Sequence, residues 1–132
     1  MKKLIFIFSV FSCFTVFYGQ GNISNLNKNY NFDKSLICNL NNSDCNLRYY
    51  GNTLVVFEIN ASGGGYITIY DRDEKMVCEI ESNVIEKSDI GMGVTFFTKK
   101  GNRVKWFVNR NNESESLSLV FKNDLAYSYT NR

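Results

Sequence analysis

From Thr53 onward, apolar and polar side chains alternate in short runs, and each run ends in a cluster of glycine, asparagine or charged residues. Successive side chains on an extended backbone point to opposite sides, so a period of two marks a strand with one buried face. The runs are "TLVVFEI" (53–59), "YITIYD" (66–71), "KMVCEIE" (75–81), "SLSLVFK" (116–122) and "LAYSYT" (125–130). Ile67 and Ile69 share one side opposite Tyr66, Thr68 and Tyr70. Met76, Cys78 and Ile80 lie opposite Val77, Glu79 and Glu81, while Leu117, Leu119 and Phe121 form another apolar side. The connections "NASGGG", "RDE", "NRNNESE" and "ND" are turn chemistry. "SNVIEKSDIGMG" has a weaker pattern and reads as a short edge strand plus a loop.

No segment after residue 20 carries a sustained helical stripe; "NISNLNKNYNFDKSL" has room for one short helical turn. The expected fold is therefore all-β, an antiparallel meander of about six to eight short strands. Its apolar side is buried by closing into a small barrel or by stacking as a two-layer sandwich, and the pattern fits both.

The segment "TFFTKKGNRVKWFV" (95–108) holds the single tryptophan and shows how much rests on one turn. With Lys99-Lys100-Gly101 as a three-residue turn, Gly101 adopts the left-handed conformation that such a hairpin demands. Phe96 then opposes Val104, and Val94 opposes Trp106. One face carries Val94, Phe96, Val104, Trp106 and Val108; the other carries Thr95, Phe97, Arg103, Lys105 and Phe107. A two-residue Gly101-Asn102 turn would instead join Phe97 to Trp106. The first register is preferred because it keeps every cation off the tryptophan face, which becomes core.

The first twenty residues are set apart. Lys2 and Lys3 precede an apolar run from Leu4 to Phe17, and Gly19 stands before polar "QGNISN". This is the tripartite pattern of a cleavable signal peptide spanning 1–20, with cleavage near Gly19 or Gln20. A rival reading is a lipoprotein anchored through Cys13 after "VFSC". Either way the chain is exported, periplasmic or extracellular. Beyond the signal, residues 21–52 form an amino-terminal segment and residues 53–132 the β domain, together one globular unit.

Three cysteines remain after processing, Cys38, Cys45 and Cys78. Cys38 and Cys45 bracket the turn-rich "NLNNSD", so a local disulfide between them is the simplest pairing; Cys78 would be a buried thiol. The rival pairing ties Cys78 to one of the other two.

Without histidine, Ser-His-Asp and Cys-His nucleophiles and histidine metal sites are excluded. The glycine runs lack the lysine and the setting of a phosphate loop. Three scattered cysteines do not make a zinc site. Asp71, Asp73 and Glu74 crowd one turn but match a calcium loop poorly. Glu79 and Glu81 resemble a glycosidase pair only in residue type. No catalytic residue, metal or cofactor is assigned.

Removing Lys2 and Lys3 leaves 13 basic residues against 13 acidic ones, so no general attraction for a nucleic-acid backbone remains. The charges are segregated, however. Residues 71–90 hold seven acids and three bases, while residues 99–110 hold five bases and no acid. Neighbouring strands can pair these charges across the sheet. The functional reading is a basic and aromatic patch of Phe97, Lys99, Arg103, Lys105 and Phe107. The expectation is an exported, non-enzymatic binding module that recognises a protein, a glycan or a small apolar ligand. The alternatives are an envelope-associated assembly protein and, less favoured, a hydrolase working through Glu79 or Asp73.

Overall fold

The computed structural model, which describes residues 26–131, places Val94 opposite Trp106 and Phe96 opposite Val104. The three-residue turn is formed. Gly101 has φ +84°, its N–H donates to Thr98 O at 3.0 Å, and the Thr98 N–H donates to Asn102 O at 3.0 Å. Val94, Phe96, Val104 and Trp106 are buried, with Trp106 5% exposed and its ring centroid 6.4 Å from that of Tyr30. The aromatic edge against the Tyr30 ring suits the quadrupoles of both.

Eight strands follow one another: β1 (Asn29–Asn39), β2 (Asp44–Ile59), β3 (Gly65–Asp71), β4 (Glu74–Lys87), β5 (Gly91–Thr98), β6 (Arg103–Asn109), β7 (Glu115–Val120) and β8 (Leu125–Thr130). Each pairs antiparallel with the next, and β8 returns to pair with β1, so one sheet closes on itself. Of the two arrangements left open by the pattern, a stack of two sheets does not occur among the described residues. The ring is irregular. β8 meets residues 34–39 of β1, whereas residues 29–32 of β1 are paired to β2. β4 gives its first half to β3 and its second half to β5. Such stagger is what tilts strands around a closed sheet.

Three expectations are corrected. The segment 21–52, set apart from the β domain, supplies β1 and the first part of β2 from residue 29 onward. The short helical turn expected before Leu36 is strand from Asn29 onward. The weak "SNVIEKSDIGMG" is not a short edge strand: it carries β4 on to Lys87 and then begins β5. One cause underlies these misreadings. Register shifts interrupt β1–β2 between Phe32 and Lys34 and between Ser35 and Leu36, and β4–β5 between Ile80 and Ser82. Each inserted residue reverses which parity faces inward, so the alternation changes phase mid-strand. The signal peptide expected at 1–20 lies outside the described residues.

Fully buried Phe32, Val55, Ile67, Ile69, Phe96, Val104 and Leu117 fill the interior. The end of the ring near the β2–β3 turn is covered by the incoming chain. Leu26 is buried there, and the Asn27 side chain brackets Ile59, accepting from its N–H at 2.7 Å and donating to its carbonyl at 2.6 Å. Cys38 and Cys45 sit directly opposite each other in β1–β2 as a disulfide pair, with 4.1 Å between their Cα atoms. Cys78 is a buried thiol, and burial pushes its pKa up. Native protein at pH 8 is therefore expected to resist iodoacetamide at Cys78, and urea should expose it; mass spectrometry of the 21–132 chain measures this. Prompt labelling before unfolding would contradict the buried assignment.

Candidate functional site

Phe97, Arg103, Lys105 and Phe107 all lie on the outer side of the ring, as the preferred register requires. They are not a uniform basic patch. Lys99 Nζ pairs with Glu79 Oε1 at 2.7 Å, which raises the lysine pKa, and Arg103 Nη2 pairs with Asp124 Oδ1 at 3.6 Å. Lys105 is exposed and Phe97 is 37% exposed. Phe107 lies across the bare backbone of Gly91 and Gly93; a Cβ on Gly91 would come within 2.7 Å of its ring. The glycines leave a trough that the ring fills.

The interior holds a second group of polar side chains that sequence reasoning did not find. Asp71 is 2% exposed and turned into the ring at the end opposite Leu26. Tyr129 Oη donates to Asp71 Oδ2 at 2.6 Å, Arg48 Nη1 donates to the same oxygen at 2.8 Å, and Tyr49 Oη donates to Oδ1. Because Tyr49 spends its proton on Asp71, the Thr53 hydroxyl must donate to Tyr49 Oη, 2.9 Å away. Arg48 Nη1 also donates to Ser35 Oγ at 3.1 Å.

Burial alone would raise the carboxyl pKa of Asp71. The hydrogen bonds from Tyr129, Tyr49 and Arg48, with the arginine's charge, outweigh it and hold Asp71 below the ordinary carboxylate range. Tyr129 is pushed far up by burial and by its bond to the carboxylate, so it stays a phenol and a donor.

Two β-features build this cluster. Ser35 pairs with Tyr49, yet the next pair is Leu36 with Leu47, so Arg48 is the extra residue of a bulge. That lets two consecutive side chains, Arg48 and Tyr49, both reach the interior, which a regular strand forbids. Asp71 follows Ile67 and Ile69 on the inward side of β3. The expected crowd of Asp71, Asp73 and Glu74 therefore does not form: Asp71 points in, while Asp73 and Glu74 are exposed on the turn. Among the described residues no group of three or more acidic, histidine or cysteine side chains is placed to hold a metal ion.

Aromatic rings frame the arginine. Its guanidinium carbon lies 3.7 Å from the centroid of Tyr127 and 5.3 Å from that of Tyr49, and Arg72 covers Tyr49 at 3.6 Å. Above Tyr127 an open cavity of about 520 Å³ is lined by Ile37, Phe121, Leu125, Tyr127, Asn102, Asn123 and Lys122. Family models, curated proteins and solved structures offer no match to this chain. The site must therefore be judged on its own chemistry.

The cavity walls are apolar: Phe121 and Tyr127 meet edge to face at 5.1 Å, beside Ile37 and Leu125. The rim is polar, with two amides and the Lys122 ammonium, whose stem lies against Gly101. Lys122 forms no ion pair with the described residues. Such a bowl can take an apolar body and pair its charged end at the rim. The clue in the sequence was the inward parity of Ile67 and Ile69, which continues to Asp71.

Proposed function

We propose that the protein is an exported, non-enzymatic binding module that receives a small amphipathic ligand with one negative charge. The ligand enters the open end of the closed sheet. One observation carries the reading: a cavity of about 520 Å³ whose walls are apolar and whose rim offers Lys122, Asn102 and Asn123. Ligand sites commonly occupy about 300–1,000 Å³, with mostly apolar linings and a few polar groups, and the mouths of β-barrels are among their usual places. The buried Asp71 cluster beneath supports the wall, because Arg48 stacks on the face of Tyr127. The proposal of export rests on the Lys2–Lys3 and apolar leader in the sequence and on the Cys38–Cys45 pair, which suits an oxidising compartment.

Calorimetric titration with decanoate and decanol tests this reading. Both chains are expected to bind, and Lys122→Gln should weaken decanoate about two- to fivefold while leaving decanol unchanged, the range for one partly solvated ion pair. Leu125→Trp, which fills the bowl, should abolish both. If neither compound binds at millimolar concentration, or if Leu125→Trp leaves affinity intact, the cavity is not the site.

A further inference from the structure

The bowl at the open end selects by shape as well as by charge. Phe121 and Tyr127 stand at 84° with their ring centroids 5.1 Å apart, so two of its walls form a right-angled aromatic corner. Tyr127 is fixed from behind. The Arg48 guanidinium carbon lies 3.7 Å from its centroid, which only a position over the ring face allows, and Arg48 itself does not line the bowl. Asp71 and Ser35 in turn hold Arg48. Ile37, the partner of Tyr127 across β1–β8, continues the wall. The corner is thus preformed. A rigid wall favours a rigid guest, which has little freedom to lose on binding.

The polar side is equally selective. A Cβ on Gly101 would come within 2.5 Å of Lys122 Cε and 3.2 Å of its Nζ, so the bare glycine leaves the lysine a path across the β5–β6 turn. That path carries the ammonium towards Asn102, whose side-chain amide forms no hydrogen bond with the described residues. Two donors on one side of the rim match the two oxygens of a carboxylate. Lys122 also follows Phe121 directly, so the cation stands one residue step, about 3.8 Å of chain, from the aromatic wall. Resting on the reading of this bowl as the binding site, we propose that its occupant is a flat aromatic carboxylate. The ring lies in the Phe121–Tyr127 corner, and the carboxylate accepts from Lys122 Nζ and from the Asn102 amide. A flat ring in such a corner meets one wall by its face and the other by its edge, the arrangements that aromatic pairs prefer. An alkyl chain makes neither contact and must give up its rotamers to stay there.

Calorimetric titration of the 21–132 chain compares naphthoate with decahydronaphthoate, which keeps the carbon skeleton and the charge but has no aromatic faces, and with decanoate. Naphthoate should bind about two- to tenfold more tightly than decahydronaphthoate, the range for an aromatic pair beyond its buried area. Asn102→Ala should weaken naphthoate about two- to tenfold, the worth of one hydrogen bond. Asn102→Asp, which turns a like charge on the carboxylate, should weaken it further. Circular dichroism of both variants should match the wild type. Decahydronaphthoate binding as tightly as naphthoate overturns the proposal, and so does an Asn102→Asp variant that keeps wild-type affinity for naphthoate. In either case decanoate binding keeps the cavity as a ligand site. If neither naphthoate nor decanoate binds at millimolar concentration, the aromatic occupant and the cavity fall together.

Discussion

Replacing Asp71 by alanine is expected to destabilise the protein by about 3–5 kcal/mol, the range for removing one partner of a buried ion pair. The total stability of a domain is only about 5–15 kcal/mol, so the loss is a large share. The reason is what stays behind. Arg48 keeps a charge in a site where its partner is gone, and Tyr129 keeps a hydroxyl proton that has lost its acceptor, while Tyr49 can turn its own to Thr53 Oγ1. Asp71→Asn retains an oxygen that accepts from Tyr129 and should cost less. Urea unfolding of both variants measures the difference; an alanine variant within about 1 kcal/mol of wild type would remove the cluster from the structural account.

The same carboxylate sets an acid limit. Its folded pKa is depressed, so its stabilising contribution is complete above the unfolded value near 3.9 and is lost as pH falls through the folded value. Wild-type stability should thus decline below about pH 4 more steeply than that of Asp71→Asn, which has no proton to take up there. Parallel acid limbs for the two proteins would contradict the assignment.

Most of the strand content was legible because it depends on local alternation. Ile67 and Ile69, Leu117 and Leu119, and Val104 and Trp106 each announce an inward face within a few residues. What was illegible depends on pairing. Arg48 and Tyr49 are adjacent in sequence, and a regular strand sends adjacent side chains to opposite sides. Only the bulge opposite Ser35 and Leu36 brings both inward, and the need for that bulge arises from the partner strand. Residues 29–52 were hidden for a related reason: their asparagines mimic turn composition, and two phase changes break the alternation.

Asp71 is a different kind of miss. Parity placed it inward, two residues after Ile69, yet its charge and the following "RDE" drew it into the turn. A carboxylate at an inward strand position implies donors waiting for it, because burying it unpaired is too costly. That inference was open to the sequence; the identity of the donors, which come from β2 and β8, was not.

Adjacent phenylalanines give the sharpest test of the sheet. Phe96→Ala should cost about 3–5 kcal/mol, since the ring is fully buried and meets Phe57 edge to face at 5.7 Å. Phe97→Ala, one residue on, should cost about 1 kcal/mol or less, because that ring is on the outer side and 37% exposed. The two-residue turn would reverse the order, sending Phe97 inward beside Trp106 and Phe96 outward beside Lys105. The pair of urea midpoints, read at equal slopes, therefore reports which loop length the chain uses. The decision rests on Gly101: with φ at +84° it supplies the third turn residue, and a side chain there is strained in that conformation. A Phe97→Ala loss equal to or larger than the Phe96→Ala loss would mean that the hairpin has slipped by one residue. Phe96 and Phe97 would then have exchanged sides, and the inward row on β5 would no longer be Val94 and Phe96.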